Sequence, residues 1–443
     1  MKKIILKNSW TLALLLCSMV VFNSCKENDD WGDNFKENSD APKITKIYLE
    51  DAKSGIPDRE VTFARKGQTI RLEGENFLGV TKVSVNGYEI TFNPTLMSNN
   101  SMIIQISDKV PTIDAADDVR NKIRLDKGAD FYVYDFEIRA AAPTITGISH
   151  TMPKADDRIT VIGTGLQGIT RVTFPGNKVV TSGIVSDDEN GLFFTVAVPD
   201  GVANEGGSIL AIGANGGAYS PAYFNFKIGL LQNFDDVTSS NKYVRGSVSD
   251  DLSAAIPSTS GVIHSQGNYR SFNTPGSTVA ASNSEVGAYF MTQDTWASTL
   301  PSIISPSLST SNVAIQMDIY VEGVWNSGYL RMVIADGWGV SKYCMLYAPI
   351  YSGGKKVEFN NPDEWFTVTF PFSDSPDFAG LTFNDVLAQA QAAVTDKYNQ
   401  WGPWFCNDTY NGVESESTNV VIYFDNIRVV PLTTPAYSDF PDE

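Results

Sequence analysis

Two stretches of this chain superimpose when one is slid by 89 residues: IRLEGENFLGVTKVSVNG at 70–87 and ITVIGTGLQGITRVTFPG at 159–176. Each alternates apolar and polar residues, breaks at glycine-marked turns and alternates again, which is the pattern of a strand, a turn and a second strand. The matching continues on both sides. Pro42-Lys43-Ile44-Thr45-Lys46-Ile47 answers Pro143-Thr144-Ile145-Thr146-Gly147-Ile148, and IIQISDKVP at 103–111 answers FFTVAVPDG at 193–201. Both units close on alternating aromatic strands, FYVYDFEI at 131–138 and YFNFKI at 223–228. Short strands with turn signals every ten residues or so predict a small antiparallel sandwich, present twice.

The repeated pattern, proline, Ile-Thr, then a glycine-rich turn leading to Val-Thr or Ile-Thr, resembles the immunoglobulin-like domains called IPT or TIG. On that resemblance 41–140 and 141–228 are two such sandwiches. They hold no tryptophan and no cluster of catalytic residue types. Rigid spacers that lift a terminal domain are the expected role.

From Gly229 the character changes. The segment 229–443 holds Trp296, Trp325, Trp338, Trp365, Trp401 and Trp404, and strand alternation recurs at 312–322, 329–336, 365–373 and 419–430. One helix is predicted, over 385–398, from its alanines and apolar spacing. LLQNFDDV at 230–237 and IYFDNIRVV at 422–430 resemble the neighbouring first and last strands of jelly-roll carbohydrate-binding domains. This puts Phe234 and Phe424 in the core. Asp235, Asp236 or Asp425 are carboxylates of the kind that can hold a structural calcium, but surface carboxylates and turn caps are the expected reading, and no metal or cofactor is assigned. The fold class is therefore all-β: tandem immunoglobulin-like sandwiches followed by a larger, jelly-roll-like sandwich.

At the other end, Lys2, Lys3 and Lys7 precede an apolar run from Thr11 to Phe22, too short for a membrane span and typical of a secretory signal. Phe22-Asn23-Ser24-Cys25 resembles a lipobox, which implies removal of 1–24 and lipidation of Cys25. Residues 25–40 are polar and acidic and read as a flexible tether. Acidic residues placed there also resemble the signal that sends lipoproteins of Bacteroides-type bacteria to the outer face of the outer membrane. The net charge of −18 and pI near 4.6 argue against a nucleic-acid partner.

Sugar rings present C–H faces that stack on aromatic rings while their hydroxyls seek amides and charged donors. Trp296, Trp325, Trp338, Trp401 and Trp404 sit beside glycine, asparagine, serine or proline and are expected on exposed loops, as a ligand platform. Asn326, Arg331, Gln400 and Asn407 are the candidate polar partners. A disulfide between Cys344 and Cys406, if formed, would stiffen the loop carrying Trp401 and Trp404. The whole arrangement resembles the surface glycan-binding protein B family of Bacteroides-type polysaccharide-utilisation loci. That resemblance implies non-catalytic capture of a plant or fungal polysaccharide, xyloglucan or another β-glucan, beside a TonB-dependent transporter and its capping lipoprotein.

Two other classes compete. A glycoside hydrolase on a sandwich scaffold needs a pair of carboxylates, and the nearest candidates, Asp318 and Glu322, lack a third partner in the sequence. His150 and His264 have no metal-ligand or nucleophile neighbours. A protein-binding adhesin would leave exposed tryptophans unexplained.

Overall fold

A computed structural model describes residues 39–51, 56–235, 242–246, 267–292, 296–334, 343–392 and 400–440. The described residues up to Ala141 form one compact unit, and Ala142–Pro441 form a second. Cys25 and the tether lie outside the described residues.

The repeat is structural. In the first unit, β1 (Lys43–Leu49) pairs antiparallel with β2 (Thr69–Glu75), followed by β3 (Lys82–Val85) and β4 (Ser101–Gln105). In the second, β5 (Thr144–Ile148), β6 (Arg158–Thr164), β7 (Arg171–Phe174) and β8 (Phe193–Ala197) occupy the same places. Each copy is a sandwich of two four-stranded sheets, with alternate residues such as Ile70 and Leu72, or Ile159 and Val161, fully buried.

Even the irregularity repeats. The first strand pair carries a register shift between Ile44 and Lys46 in one copy and between Ile145 and Gly147 in the other. Opposite the bulge stand Gly74 and Gly163. A Cβ there would lie 1.9 Å from the carbonyl oxygen of Lys43 or of Thr144. These backbones approach too closely for any side chain, which explains why the sequence match keeps a glycine at this step. Gly163→Ala and Gly74→Ala should each cost about 3 kcal/mol, the upper range for forced overpacking, read as a lower urea midpoint at unchanged slope.

The terminal domain is built from two five-stranded antiparallel sheets. Its strands are β9 (Leu230–Gln232), β10 (Lys242–Gly246), β11 (Arg270–Phe272), β12 (Asn283–Thr292), β13 (Val313–Glu322), β14 (Tyr329–Val333), β15 (Cys344–Tyr347), β16 (Phe366–Pro371), β17 (Gln400–Asn407) and β18 (Val421–Pro431). One sheet runs β9-β18-β13-β16 with β11 also on β18, and the other runs β10-β12-β17-β14-β15. First and last strands pair as expected, Leu230 opposite Arg428. The rings of Phe234 and Phe424 meet edge-on at 5.6 Å in the core.

Two α-helices lie among the described residues of this domain. Helix α2 (Phe383–Ala392) is started by Thr382, whose hydroxyl accepts from the Asp385 N–H while the Asp385 carboxylate accepts from the Thr382 N–H. Residues 393–398 of the predicted helix lie outside the described residues. Helix α1 (Trp296–Ile303) was not legible in the sequence, because Pro301 lies inside it.

Strand β18 is buried along nearly its whole length, on both faces. Its inner face meets the opposite sheet. Its outer face carries Arg428, fully buried beneath the second sandwich. Arg428 Nη2 donates to Asp318 Oδ1 at 2.8 Å and to Thr151 Oγ1 at 2.7 Å, while Thr367 Oγ1 and Asn426 Nδ2 donate to the same carboxylate at 2.7 and 3.0 Å. Thr151 Oγ1 donates onward to Gln316 Oε1 at 2.9 Å, and the Thr367 N–H reaches the Ser149 carbonyl at 2.8 Å. His150 Nδ1 accepts from the Met152 N–H at 3.3 Å, which leaves the proton of the neutral ring on Nε2, 3.7 Å from Asp318 Oδ2.

The chain end adds a second tie. After β18 the Leu432 N–H reaches Asn312, and the Ala222 N–H of the sandwich reaches the Thr433 carbonyl at 2.9 Å. Tyr437 lies against Tyr219, its ring over Gly217, where a Cβ would fall 2.4 Å from it.

Candidate glycan-binding face

The outer face of the sheet β10-β12-β17-β14-β15 is set by register. Ala288, Trp404, Arg331 and Leu346 stand side by side across β12, β17, β14 and β15, and residues opposite one another on neighbouring strands share a face. One step along, Tyr329 faces Cys406, and at the other end Val333 faces Cys344. The intervening residues Leu330, Met332, Met345, Trp401 and Phe405 point into the sandwich core.

Arg331 is the centre of this face. Its guanidinium lies over the Trp404 ring at 5.4 Å from the centroid and over the Tyr329 ring at 5.8 Å, and Nη2 donates to the Tyr329 hydroxyl at 3.2 Å. Among the described residues no carboxylate pairs with it, and Nε is buried with no acceptor. In a chain with 51 acidic and 33 basic residues this is unusual. A half-buried guanidinium held on aromatic faces, with donor capacity unspent, suits hydroxyl or carbonyl acceptors brought by a ligand. Burial pushes the Tyr329 hydroxyl above its ordinary pKa, so it stays protonated. Beside it Tyr410 bridges Tyr329 and Tyr351, at ring separations of 5.0 and 4.8 Å. Tyr410 and Tyr351 are only half-buried. They are aromatic surfaces that the tryptophan pattern of the sequence does not mark.

The expected tryptophan platform needs correction. Trp404 and Trp401 lie on β17, not on a loop, and are 4 % and 1 % exposed. The bulky rings fill the two sides of one strand: Trp401 packs in the core and Trp404 floors the outer face under Arg331. The glycine and proline between them, read as turn residues, occur within the strand. Trp325 does lie between strands, but it folds back at 3 % exposure and its indole N–H donates to the Gly328 carbonyl. Its ring packs on Phe359 and Tyr347. Trp296 begins α1 and does not lie in a turn, and its side chain is outside the described residues, as is Trp338 altogether. Gln400 opens β17 opposite Thr292, its side chain likewise not described.

Asn326 is committed to its own loop, donating to Glu416 Oε1 at 3.2 Å and to the Ser417 carbonyl. Asn407 is fully buried, bound to Ser327 and to the Ala280 and Glu416 carbonyls. Of the polar candidates, Arg331 is the one whose described side chain meets the face.

Cys344 and Cys406 are both buried on this face. Strand β14 separates them, so they stand at least two strand spacings apart, about 9.5 Å, beyond the reach of a disulfide. Burial raises the pKa of Cys344 and keeps it a thiol.

The hydrolase candidates are also accounted for. Asp318 is sealed in the Arg428 network at 0 % exposure, and Glu322 accepts from the Tyr423 hydroxyl. Asp425 is buried, with Oδ1 accepting from the Asn426 N–H, and Asp235 Oδ1 accepts from the Asn268 N–H. Among the described residues no group of three His, Cys, Asp or Glu side chains converges as a metal site. Asp236 and His264 lie outside them.

Fold and face together define a class: an all-β protein of successive sandwiches whose terminal domain offers an aromatic and arginine-bearing sheet face. Residues 224–431 match the family described as surface glycan-binding protein B xyloglucan binding domain. Over that segment, a little under half of the chain, the terminal domain is similar to the xyloglucan-binding domain of the surface glycan-binding protein B family.

An IPT/TIG domain-containing protein of Bacteroides ovatus is 29 % identical over 154 residues, covering 34 % of this chain and 29 % of that relative, so the match spans under a third of the relative's length. The surface glycan-binding protein PbSGBP-B of Prevotella bryantii has the same fold over 89 % of this chain and all of its own, at 19 % identity and a TM-score of 0.62. A surface glycan-binding protein B from a complex xyloglucan utilization locus in Bacteroides uniformis covers 88 % of this chain at 18 % identity, with a TM-score of 0.45.

Proposed function

We propose that this protein captures a neutral plant or fungal polysaccharide, xyloglucan or another β-glucan, without cleaving it. In this reading it is secreted, lipidated at Cys25 and held on the outer face of the outer membrane, where it serves a TonB-dependent transporter and its capping lipoprotein. The observation that carries the reading is the guanidinium of Arg331, which has no carboxylate partner among the described residues and is laid on Trp404 and Tyr329, within a domain that matches the xyloglucan-binding family model. Tyr410 and Tyr351 supply the neighbouring ring faces, and the arginine supplies directional donors to sugar oxygens. Because Asp318 is sealed and Glu322 engaged, acid and base for glycoside cleavage are not on offer at the pair the sequence suggested. Weak capture per site is enough where a polymer meets many copies on one cell.

The test is native affinity electrophoresis against xyloglucan, mixed-linkage and β-1,3-glucans, mannan, xylan, pectin and starch, with reducing ends assayed in parallel. Retardation by a β-glucan without sugar release is the expected result. Release of reducing ends would convert the protein to a hydrolase, and silence across the panel would favour the adhesin.

A further inference from the structure

The second sandwich and the terminal domain, tied by the Arg428 network, leave a cleft of about 600 Å³ beside that network. From the terminal domain come Tyr347, Phe359 and Phe366, and from the sandwich comes Ile162. Phe359 and Phe366 lie 6.2 Å apart with their planes 39° from parallel, half-buried, and Trp325 braces Phe359 from behind at 5.4 Å. Ile162 is 46 % exposed, and its cross-strand partner Phe193 is 41 % exposed on the same sheet face. Neither has a packing reason to face solvent, and together they carry the apolar floor of the cleft outward over the sandwich.

The polar groups of the wall include neutral hydroxyls and an amide, among them Thr146, Thr369 and Asn360, and Glu364 is the one carboxylate among the described lining residues. Among the described residues no lysine or arginine lines it. An anionic ligand would find no counter-charge here. A neutral polyhydroxyl chain finds ring faces flanked by donors and acceptors, in a volume within the range of small-ligand pockets. Thr367, which lines the cleft, also donates to Asp318, so the wall is pinned to the buried network and the cleft is preformed.

We infer that this cleft is a second glycan subsite, taking a further stretch of the same neutral polysaccharide chain that the Arg331 face binds. The inference rests on the glycan-capture reading and gives the second sandwich a share in binding, beyond the spacer role expected of it.

The test uses the full chain with Ile162→Asp and with Asn360→Ala, both at exposed positions, and Val179→Asp on the opposite sheet of the same sandwich as control. Calorimetry compares the polysaccharide retained in electrophoresis with its shortest bound oligosaccharide. The cleft variants should weaken polymer binding five- to tenfold and leave the short oligosaccharide unchanged, and the control should change neither. Polymer affinity equal to that of the parent in both cleft variants overturns the subsite alone. So does an equal loss for polymer and oligosaccharide. A parent chain that binds no glycan removes both the subsite and the reading beneath it.

Discussion

Asp318→Ala should destabilise the second unit by about 3–5 kcal/mol, the cost of leaving a buried charge without its partner. The carboxylate is fully buried and receives Arg428, Thr367 and Asn426. Without it the guanidinium of Arg428 stays beneath the sandwich with no counter-charge. Chemical unfolding followed by circular dichroism reads the loss as a lower midpoint. The double replacement Asp318→Leu with Arg428→Met should recover much of it, since well-packed apolar residues commonly match a buried ion pair. A single variant as stable as the parent would show that the network is not what joins the two domains.

The same network fixes a pH dependence. Burial alone would raise the pKa of Asp318, but Arg428 and the hydrogen bonds outweigh it and hold the carboxyl below its ordinary value. Burial, with Arg428 nearby, lowers the pKa of His150 and keeps the ring neutral. Both folded pKa values lie below their unfolded ones, so both contributions are complete above the unfolded values and are lost on acidification. These two contributions should be level above about pH 7. They should fall as pH drops below the ordinary histidine value near 6.5, and fall again below the ordinary aspartate value near 3.9.

Arg331→Ala should weaken glycan binding tenfold to about a hundredfold, the equivalent of roughly 1.5–3 kcal/mol for a charge-assisted hydrogen bond. Arg331→Lys should not restore it, because an ammonium lacks the planar fork that lies on Trp404 and reaches two acceptors at once. Trp404→Ala should lose affinity through the arginine it floors, and should also cost stability because the ring is buried. The informative comparison is therefore Arg331→Ala, which removes a side chain from the outer face and leaves the core intact. Calorimetry showing parent-like affinity in Arg331→Ala would displace this face as the binding site.

How far the sequence could be read depended on which face of a strand a residue takes. Alternation and glycine placement gave the two sandwiches and the pairing of the first and last strands, because core formation follows a period of two. The tryptophans misled for the same reason. Residues 400–407 contain glycine and proline, which hide the alternation, so Trp401 and Trp404 read as loop residues when they occupy the two sides of β17. Trp325 lies between strands as its neighbours suggest, yet it folds inward, and sequence spacing carries no signal for that. Arg331 was legible as an alternate-face residue. That no carboxylate among the described residues pairs with it is a tertiary fact that no local pattern could supply, and the same holds for Asp318, whose partner stands 110 residues away.

The buried ion pair and the returning chain end also decide where this protein could change its length over evolutionary time. A cut at Ala141 falls between the two compact units, so a sandwich could be gained or lost there by recombination without dividing the Arg428 network. A cut at Gly229 would strand Arg428 and Asp318 on one side, Thr151 and His150 on the other, and leave Tyr437 without its seat on Gly217. The heritable module is thus the pair of domains from Ala142 onward, and the first sandwich is the exchangeable part.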